Sequence, residues 1–288
     1  AKVYQGSSLG HEGWPFEGGP IGPRFAWDAS STFLSPSPIT APSASDVDVI
    51  DNIRPLAILG DGITTDALSP NGEILVGSPA ANYLVERGVA PKDFGNYAAR
   101  RGHFDIALRG MFANPHLENE LVPGRRGNLT MLMPEAAMVP IFDAGTAYLQ
   151  RGVPSIIVAG KGYGGGSSRD WAAKGVRHLG VCAVLAESFE TIHRANLINV
   201  GVLPLRFPKA LDRTVLKLDR HTQFRLRGLR NGIALGGTID VDVQRRDGAP
   251  DHFAAALDVV TQNEIDILRA GGLLPMLIGT ILADAEGE

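Results

Sequence analysis

Ser167, Ser168 and Arg169 stand together in the run Gly160-Lys-Gly-Tyr-Gly-Gly-Gly-Ser-Ser-Arg-Asp-Trp-Ala-Ala-Lys-Gly175, and their types suit chemistry on an anion. A hydroxyl donates a hydrogen bond or, once deprotonated, takes a proton, and a planar guanidinium grips a carboxylate through two parallel bonds. The segment before them is nearly free of Cβ atoms. Glycines there allow positive φ and let a ligand reach the main chain, and the first N–H groups of a following helix attract negative charge. Ser155-Ile-Ile-Val-Ala159 is a short apolar run that predicts a buried strand, and Asp170 to Lys174 predict the start of a helix. Strand, glycine turn and helix together predict an anion site.

Other readings compete for the same loop. Gly160-x-Gly162-x-x-Gly165 satisfies a dinucleotide fingerprint, and Glu187 follows the apolar run Gly180-Val-Cys-Ala-Val-Leu-Ala186 near the place of a ribose-binding acid. Against it, the helix reads as no more than two turns before Gly175. No lysine directly precedes Ser167, as a phosphate-binding loop of the nucleotide-hydrolase kind would require. A purely structural glycine turn is the bland alternative, although so many glycines cost backbone entropy.

Composition narrows the class. The chain has 288 residues, 44% of them apolar, and a formal charge of −4. That suffices for one large domain, or a domain plus an extended arm, and it speaks against a nucleic-acid or acidic-membrane surface. No apolar run is long enough to span a bilayer. The single cysteine, Cys182, excludes a disulfide within the chain, so a cytoplasmic setting is expected. It also excludes a [4Fe–4S] cluster ligated by this chain, which needs at least three thiolates; Cys182 reads as a small buried hydrophobe in a strand.

The elements around the loop form an alternating series. Residues 1–50 are rich in glycine, proline and serine, with Gly18-Gly-Pro-Ile-Gly-Pro23 and Ser35-Pro-Ser-Pro-Ile-Thr-Ala-Pro42, and predict an extended arm or interdomain linker. Trp14, Phe16, Phe25, Trp27 and Phe33 are its candidate anchors. The main domain, 51–288, opens with the strand-like Arg54-Pro-Leu-Ala-Ile-Leu59. Helices are predicted over 80–87, 142–152, 189–198 and 264–270, and strands over 215–218, 223–226 and 238–243, with Asp247-Gly248 as a hairpin turn. His103 has no second ligand at metal spacing and reads as a hydrogen-bonded loop residue, Arg100 and Arg101 read as forming structural ion pairs or facing solvent, and His193, three residues from Asn196, as supporting architecture placed to hydrogen-bond the neighbouring loop. The sum is an α/β domain with strands in layers or a small barrel, and helices on one side.

Four motifs in order carry a resemblance. Gly60-Asp-Gly-Ile-Thr-Thr-Asp-Ala-Leu-Ser-Pro-Asn-Gly72, Arg100-Arg-Gly-His103 with Arg109-Gly-Met-Phe-Ala-Asn114, Gly160 to Gly175, and Ala186-Glu-Ser-Phe-Glu-Thr-Ile-His-Arg-Ala-Asn-Leu197 with Gly201-Val-Leu-Pro-Leu205 resemble the aconitase family. The likeness is to the C-terminal swivelling β/β/α domain of its aconitase A and iron-regulatory-protein branch. It implies a hydro-lyase of the tricarboxylic acid cycle that dehydrates and rehydrates a hydroxy tricarboxylic acid such as citrate or isocitrate, with a 2-methylcitrate dehydratase-type reaction as the alternative. It implies Ser167 as the alkoxide base, Ser168, Arg169 and Arg109 as carboxylate holders, and Asp66 in the active site. Asp66 also suits a cap for the turn near Ser69-Pro70. The resemblance further implies a [4Fe–4S] cluster in the complete enzyme, carried by three other domains in a partner chain or a missing part. Ala67 stands where the family usually has histidine, which bears on substrate identity. A dinucleotide-binding oxidoreductase and an RNA-binding module are the readings from other classes.

Overall fold

The computed structural model describes residues 25–38, 47–167 and 169–286. Its strands are β1 (Val49–Ile58), β2 (Leu129–Leu132), β3 (Ala137–Pro140), β4 (Ser155–Ala159), β5 (Val181–Ala186), β6 (Leu203–Arg206), β7 (Gln223–Arg227), β8 (Thr238–Gln244) and β9 (Asp251–Leu257). Before β2 come the short helices α1 (Thr65–Leu68), α2 (Pro79–Glu86), α3 (Tyr97–Arg100) and α4 (Phe104–Arg109). Then follow α5 (Ile141–Gln150), α6 (Trp171–His178), α7 (Thr191–Asn199), α8 (Leu229–Gly232), α9 (Gln262–Arg269) and α10 (Leu273–Glu286).

β1, β4, β5 and β6 lie side by side and parallel. β9, β8 and β7 continue the sheet antiparallel, and β7 pairs with β1 to close a barrel. β2 and β3 form a separate hairpin. The expected α/β class therefore holds, and of the two strand arrangements the barrel is the one adopted.

Period-two alternation explains how the parallel strands are held. Along β4, Ile156 and Val158 point into the barrel core with Leu185, Phe224 and Val241, whereas Ile157 and Ala159 point outward to Ala144, Tyr148, Ala172 and Val176 of α5 and α6. Both faces are dry, which is why β4 reads as an unbroken apolar run. Each Ile, Val or Leu so buried contributes roughly 1.5–3 kcal/mol. The parallel arrangement also sends the loops after β1, β4 and β5 out at one end of the barrel, where loops of parallel sheets gather sites.

Several expectations need correction. The predicted strand 215–218 is a turn: the Asp212 carboxylate accepts from the amides of Thr214 (2.7 Å) and Val215 (2.8 Å), and this local capping wins over β propensity. Gly175 does not end the helix after the glycine loop, which runs on to His178. A Cβ at 175 would come 2.1 Å from Met111 Sδ, so this glycine serves close packing. The β2–β3 hairpin and α10 carry weak patterns and were not anticipated from sequence. β1 begins at Val49, ahead of Arg54.

Of the arm, residues 25–38 are described; Trp14, Phe16 and the stretch 18–23 lie outside the described residues. Arg100, buried and bonded mainly to carbonyls instead of ion-paired or facing solvent as expected, fixes part of it. Its guanidinium donates to Thr32 O (3.0 Å), Thr32 Oγ1 (2.7 Å), Phe94 O (2.7 Å) and Asp93 O (2.8 Å), and covers the Phe33 ring. Phe25 and Trp27 remain largely exposed. Among the described residues no single helix is long and apolar enough to cross a membrane.

Candidate functional site

The glycine loop leaves β4 and is fastened on both sides before it reaches Ser167. The Lys161 amide donates to Asp61 Oδ1 (3.0 Å) and the Gly164 amide to Ile63 O (2.8 Å), both in the loop after β1. On the other side the Gly162 amide donates to Ser188 Oγ (2.9 Å) and the Tyr163 amide to Ser188 O (3.0 Å), in the loop after β5. So the main-chain donors at 161–164 are spent within the protein. Among the described residues, the amides of Gly166 and Ser167 donate to no group in the chain. The anion cradle is therefore shorter than the glycine pattern suggests, and it sits directly at Ser167.

Beneath this loop lies His193. Its ring is buried and meets Tyr163 edge-on at 5.1 Å, and neither nitrogen finds a hydrogen-bond partner among the described residues. Burial holds its pKa down at about 4, so the imidazole is neutral near pH 7. Gly164 has φ +87°, and a Cβ there would come 2.2 Å from the His193 ring, which leaves glycine as the residue that fits. The supporting role expected of His193 is this packing, and the hydrogen bond to the neighbouring loop is not made because the ring is closed in by Tyr163 and Gly164.

Ser167 is exposed. Its carbonyl accepts a hydrogen bond from Thr65 Oγ1 (2.7 Å), and the Thr65 amide donates to Gly165 O (2.8 Å). Thr65 opens α1, capped by the Thr64 side chain, which accepts from the Ala67 amide (3.2 Å). The cap expected of Asp66 for an element beginning near Ser69-Pro70 is not formed, because Asp66 lies inside α1 and Ser69 ends that helix. Instead, Asp66 Oδ1 lies 2.6 Å from Arg169 Nε. The N–H is not directed along that oxygen, so the contact is an ion pair more than a hydrogen bond. Ser167, Arg169 and Asp66 are brought to one place by α1 and the loop before α6. Ser168 lies outside the described residues.

Arg109 ends α4 in different company. Its guanidinium donates to Asp105 O (2.9 Å), pairs with Asp105 Oδ1 (3.2 Å), and covers the rings of Tyr83 and Phe142. It lines a recess of ≈ 250 Å³ with Pro79, Asn82 and Asp143. A second cleft of ≈ 320 Å³ lies beside the loop after β1, lined by Gly60 to Thr64, Ala67, Asn114, His116 and Leu117, with the carboxylates of Asp61, Glu118 and Glu120. The two share no lining residue, Ser167 lines neither of them, and among the described residues no contact joins Arg109 to Ser167. The packing of Phe104 on Trp171, 5.7 Å between centroids, links α4 to α6.

Sequence reasoning missed two residues here. Asn119, buried, accepts from the Ile58 amide (3.0 Å) and donates to Leu129 O (3.0 Å), so it pins the cleft's far wall to the end of β1. Arg213 contacts Asp61, Glu120 and Glu187. Glu187 is thereby occupied, and a ribose-binding acid is not available where the dinucleotide fingerprint asked for one. His103 accepts or donates to Ser35 Oγ (3.3 Å), as a hydrogen-bonded loop residue. Cys182 donates its thiol to Ser155 O (3.3 Å), packs against the barrel core, and is pushed up to about 12 by burial. A neutral thiol in that position does not fit a cluster ligand. Among the described residues no three His, Cys, Asp or Glu side chains group to hold a metal.

A barrel whose parallel strands present a glycine loop, a serine and an arginine–aspartate pair at one end defines a class of anion-handling α/β domains. The profile of the aconitase C-terminal domain matches residues 80–210. Aconitate hydratase A of Pseudomonas aeruginosa is 42% identical over 287 residues, covering 98% of this chain and 31% of the relative. That of Escherichia coli is 41% identical over 261 residues, covering 90% and 29%, and that of Deinococcus radiodurans 40% over 292, covering 100% and 32%. The chain belongs to the aconitase family, as its C-terminal domain, and spans under a third of the length of these relatives. Among solved structures, 3-isopropylmalate dehydratase of Methanocaldococcus jannaschii aligns at a TM-score of 0.39 and 19% identity, over 83% of this chain and 99% of that one; so loose a match carries no weight for the site.

Proposed function

We propose that this chain is the substrate-holding, base-bearing part of an aconitase-like hydro-lyase acting on a hydroxy tricarboxylic acid of the citrate and isocitrate kind. The observation that carries it is the exposed Ser167 at the end of a fastened loop, with the Asp66–Arg169 ion pair beside it. The names of the relatives support the same reading. A proton next to a carboxylate is weakly acidic, so its removal needs a strong base and donors fixed in advance around the developing charge. Ser167 as an alkoxide takes that proton. The amides of Gly166 and Ser167, the N-terminal end of α6 and Arg169 lower the cost of the alkoxide. The electron pair left on carbon forms the double bond as hydroxide departs from the neighbouring carbon, and rehydration reverses these steps. Arg169, with Ser168, holds one substrate carboxylate, and Asp66 presents the guanidinium. Arg109 serves as a second carboxylate clamp, at the expense of its bond to Asp105.

In this proposal the [4Fe–4S] cluster belongs to the part of the enzyme that the relatives carry beyond this span, since Cys182 does not suit it. The working enzyme is this chain joined to that part, in the cytoplasm. The test is an assay on citrate and isocitrate with the chain alone and with the cluster-bearing part supplied. Turnover is expected in the second case and not in the first; turnover by the chain alone overturns the division of labour.

A further inference from the structure

Arg213 stands at the mouth of the barrel and joins three separate segments. Its Nε donates to Glu120 Oε1 (2.8 Å), and its Nη1 lies 3.5 Å from Asp61 Oδ1 and 3.4 Å from Glu187 Oε1. Asp61 belongs to the loop after β1, Glu187 to the loop after β5, and Glu120 to the wall held by Asn119. The same Asp61 oxygen accepts the Lys161 amide, so the guanidinium is one contact removed from the glycine loop. It also stands over the first glycine of that loop. A Cβ at Gly160 would come 1.8 Å from Asp61 Oδ1 and 2.8 Å from Arg213 Nη1, which leaves no room for a side chain between them.

The electrostatics give this geometry a purpose. Asp61, Glu118 and Glu120 line the ≈ 320 Å³ cleft that adjoins Thr64 and Ala67. Ser167 does not line this cleft, but Thr64 and Ala67, which do, flank the Thr65 whose hydroxyl holds the Ser167 carbonyl, so a polycarboxylate at Ser167 stands near these like charges. Arg213, 15% exposed, contacts two of the three, whose side chains are 59% and 42% exposed, and offsets part of their field in a way that salt screens. A fork with several donors meets three carboxylates at once, which a single ammonium cannot do in this geometry.

We propose that Arg213 is a positioning residue for the hydro-lyase reaction, fixing Asp61 and Glu120 of the cleft and offsetting part of their charge so that a tricarboxylate can bind. This rests on the function proposed above, and the test separates the two. The full-length protein is titrated with tricarballylate, a tricarboxylate lacking the hydroxyl, and assayed for turnover. Arg213→Gln should weaken tricarballylate binding and raise KM by about tenfold at low ionic strength, with the deficit shrinking as salt screens the cleft. Adding Glu120→Gln to that variant should restore most of the affinity, and Glu120→Gln alone should tighten binding by about threefold. A loss of fold would lower the active fraction without a salt-dependent KM, and removing a second partner would not repair it. If Arg213→Gln does not fold, Glu120→Gln alone decides, and unchanged or weaker binding overturns the proposal. Wild-type affinity and salt response in Arg213→Gln overturn it too, and leave the function standing. Tricarballylate binding with the expected response, but no turnover by the complete protein, removes the reaction and keeps Arg213 in its role. No tricarballylate binding by wild type removes both.

Discussion

The two halves of the barrel are built on different terms. In β4 and β5 residues face either the barrel core or the helices, and β4 is buried throughout. In β8 burial alternates, with Ile239, Val241 and Val243 inside and Asp240 and Asp242 turned outward. The antiparallel half meets solvent and tolerates charge, with Arg227, Asp242 and His252 paired on its outer face. The parallel half has no such freedom, and its loops inherit that rigidity. Two glycines show the difference between these particular loops: a Cβ at Gly160 would meet Asp61 and one at Gly164 would meet His193, whereas Gly248, in the β8–β9 hairpin, has nothing within 4 Å of an added Cβ. The site sits where backbone and packing leave least choice.

The comparison breaks most sharply at Ser167. Ser167→Ala in the complete enzyme should lower kcat by about 10³-fold with an unchanged circular dichroism spectrum; full activity would remove it as the base. Next come the glycines. Gly164→Ala combines positive φ with collision against His193 and should cost about 3 kcal/mol in urea unfolding. Gly248→Ala, strained in φ alone (+100°), should cost about 1 kcal/mol, and equal losses would erase the distinction between the halves.

The third measurement follows pH. His193 has its folded pKa depressed to about 4 from the ordinary 6.5, so between those values the unfolded chain binds the extra proton. Stability is then full above pH 6.5, falls as pH drops toward 4, and levels off below it, a loss of about 3 kcal/mol. His193→Gln should flatten that part of the profile. The smaller effect on turnover is at Thr65: Thr65→Val removes the bond to Ser167 O and should lower kcat about tenfold, worth about 1.4 kcal/mol, with little change in unfolding.

Much of this was legible in the residues. Ser155–Ala159 reads as a strand because both of its faces are apolar, and Ser167 and Arg169 stand out because hydroxyl and guanidinium follow so many glycines. The pairing of Asp66 with Arg169 was not legible, since it joins residues about a hundred positions apart and depends on the parallel pairing of β1 with β4. Arg213 was hidden for a local reason: Asp212 folds its segment into a turn, while Val215-Leu-Lys-Leu218 imitates a strand. The dinucleotide pattern was a true spacing with the wrong donors, because packing had already claimed the amides at 161–164.

Thr65 donates its hydroxyl to the carbonyl of Ser167 while its amide holds Gly165, so the loops after β1 and β4 are stitched into one piece. A stitched pair cannot act as a lid. Moving either loop means carrying the other with it or first breaking the bonds of Thr65, so one threonine sets how freely the two can part.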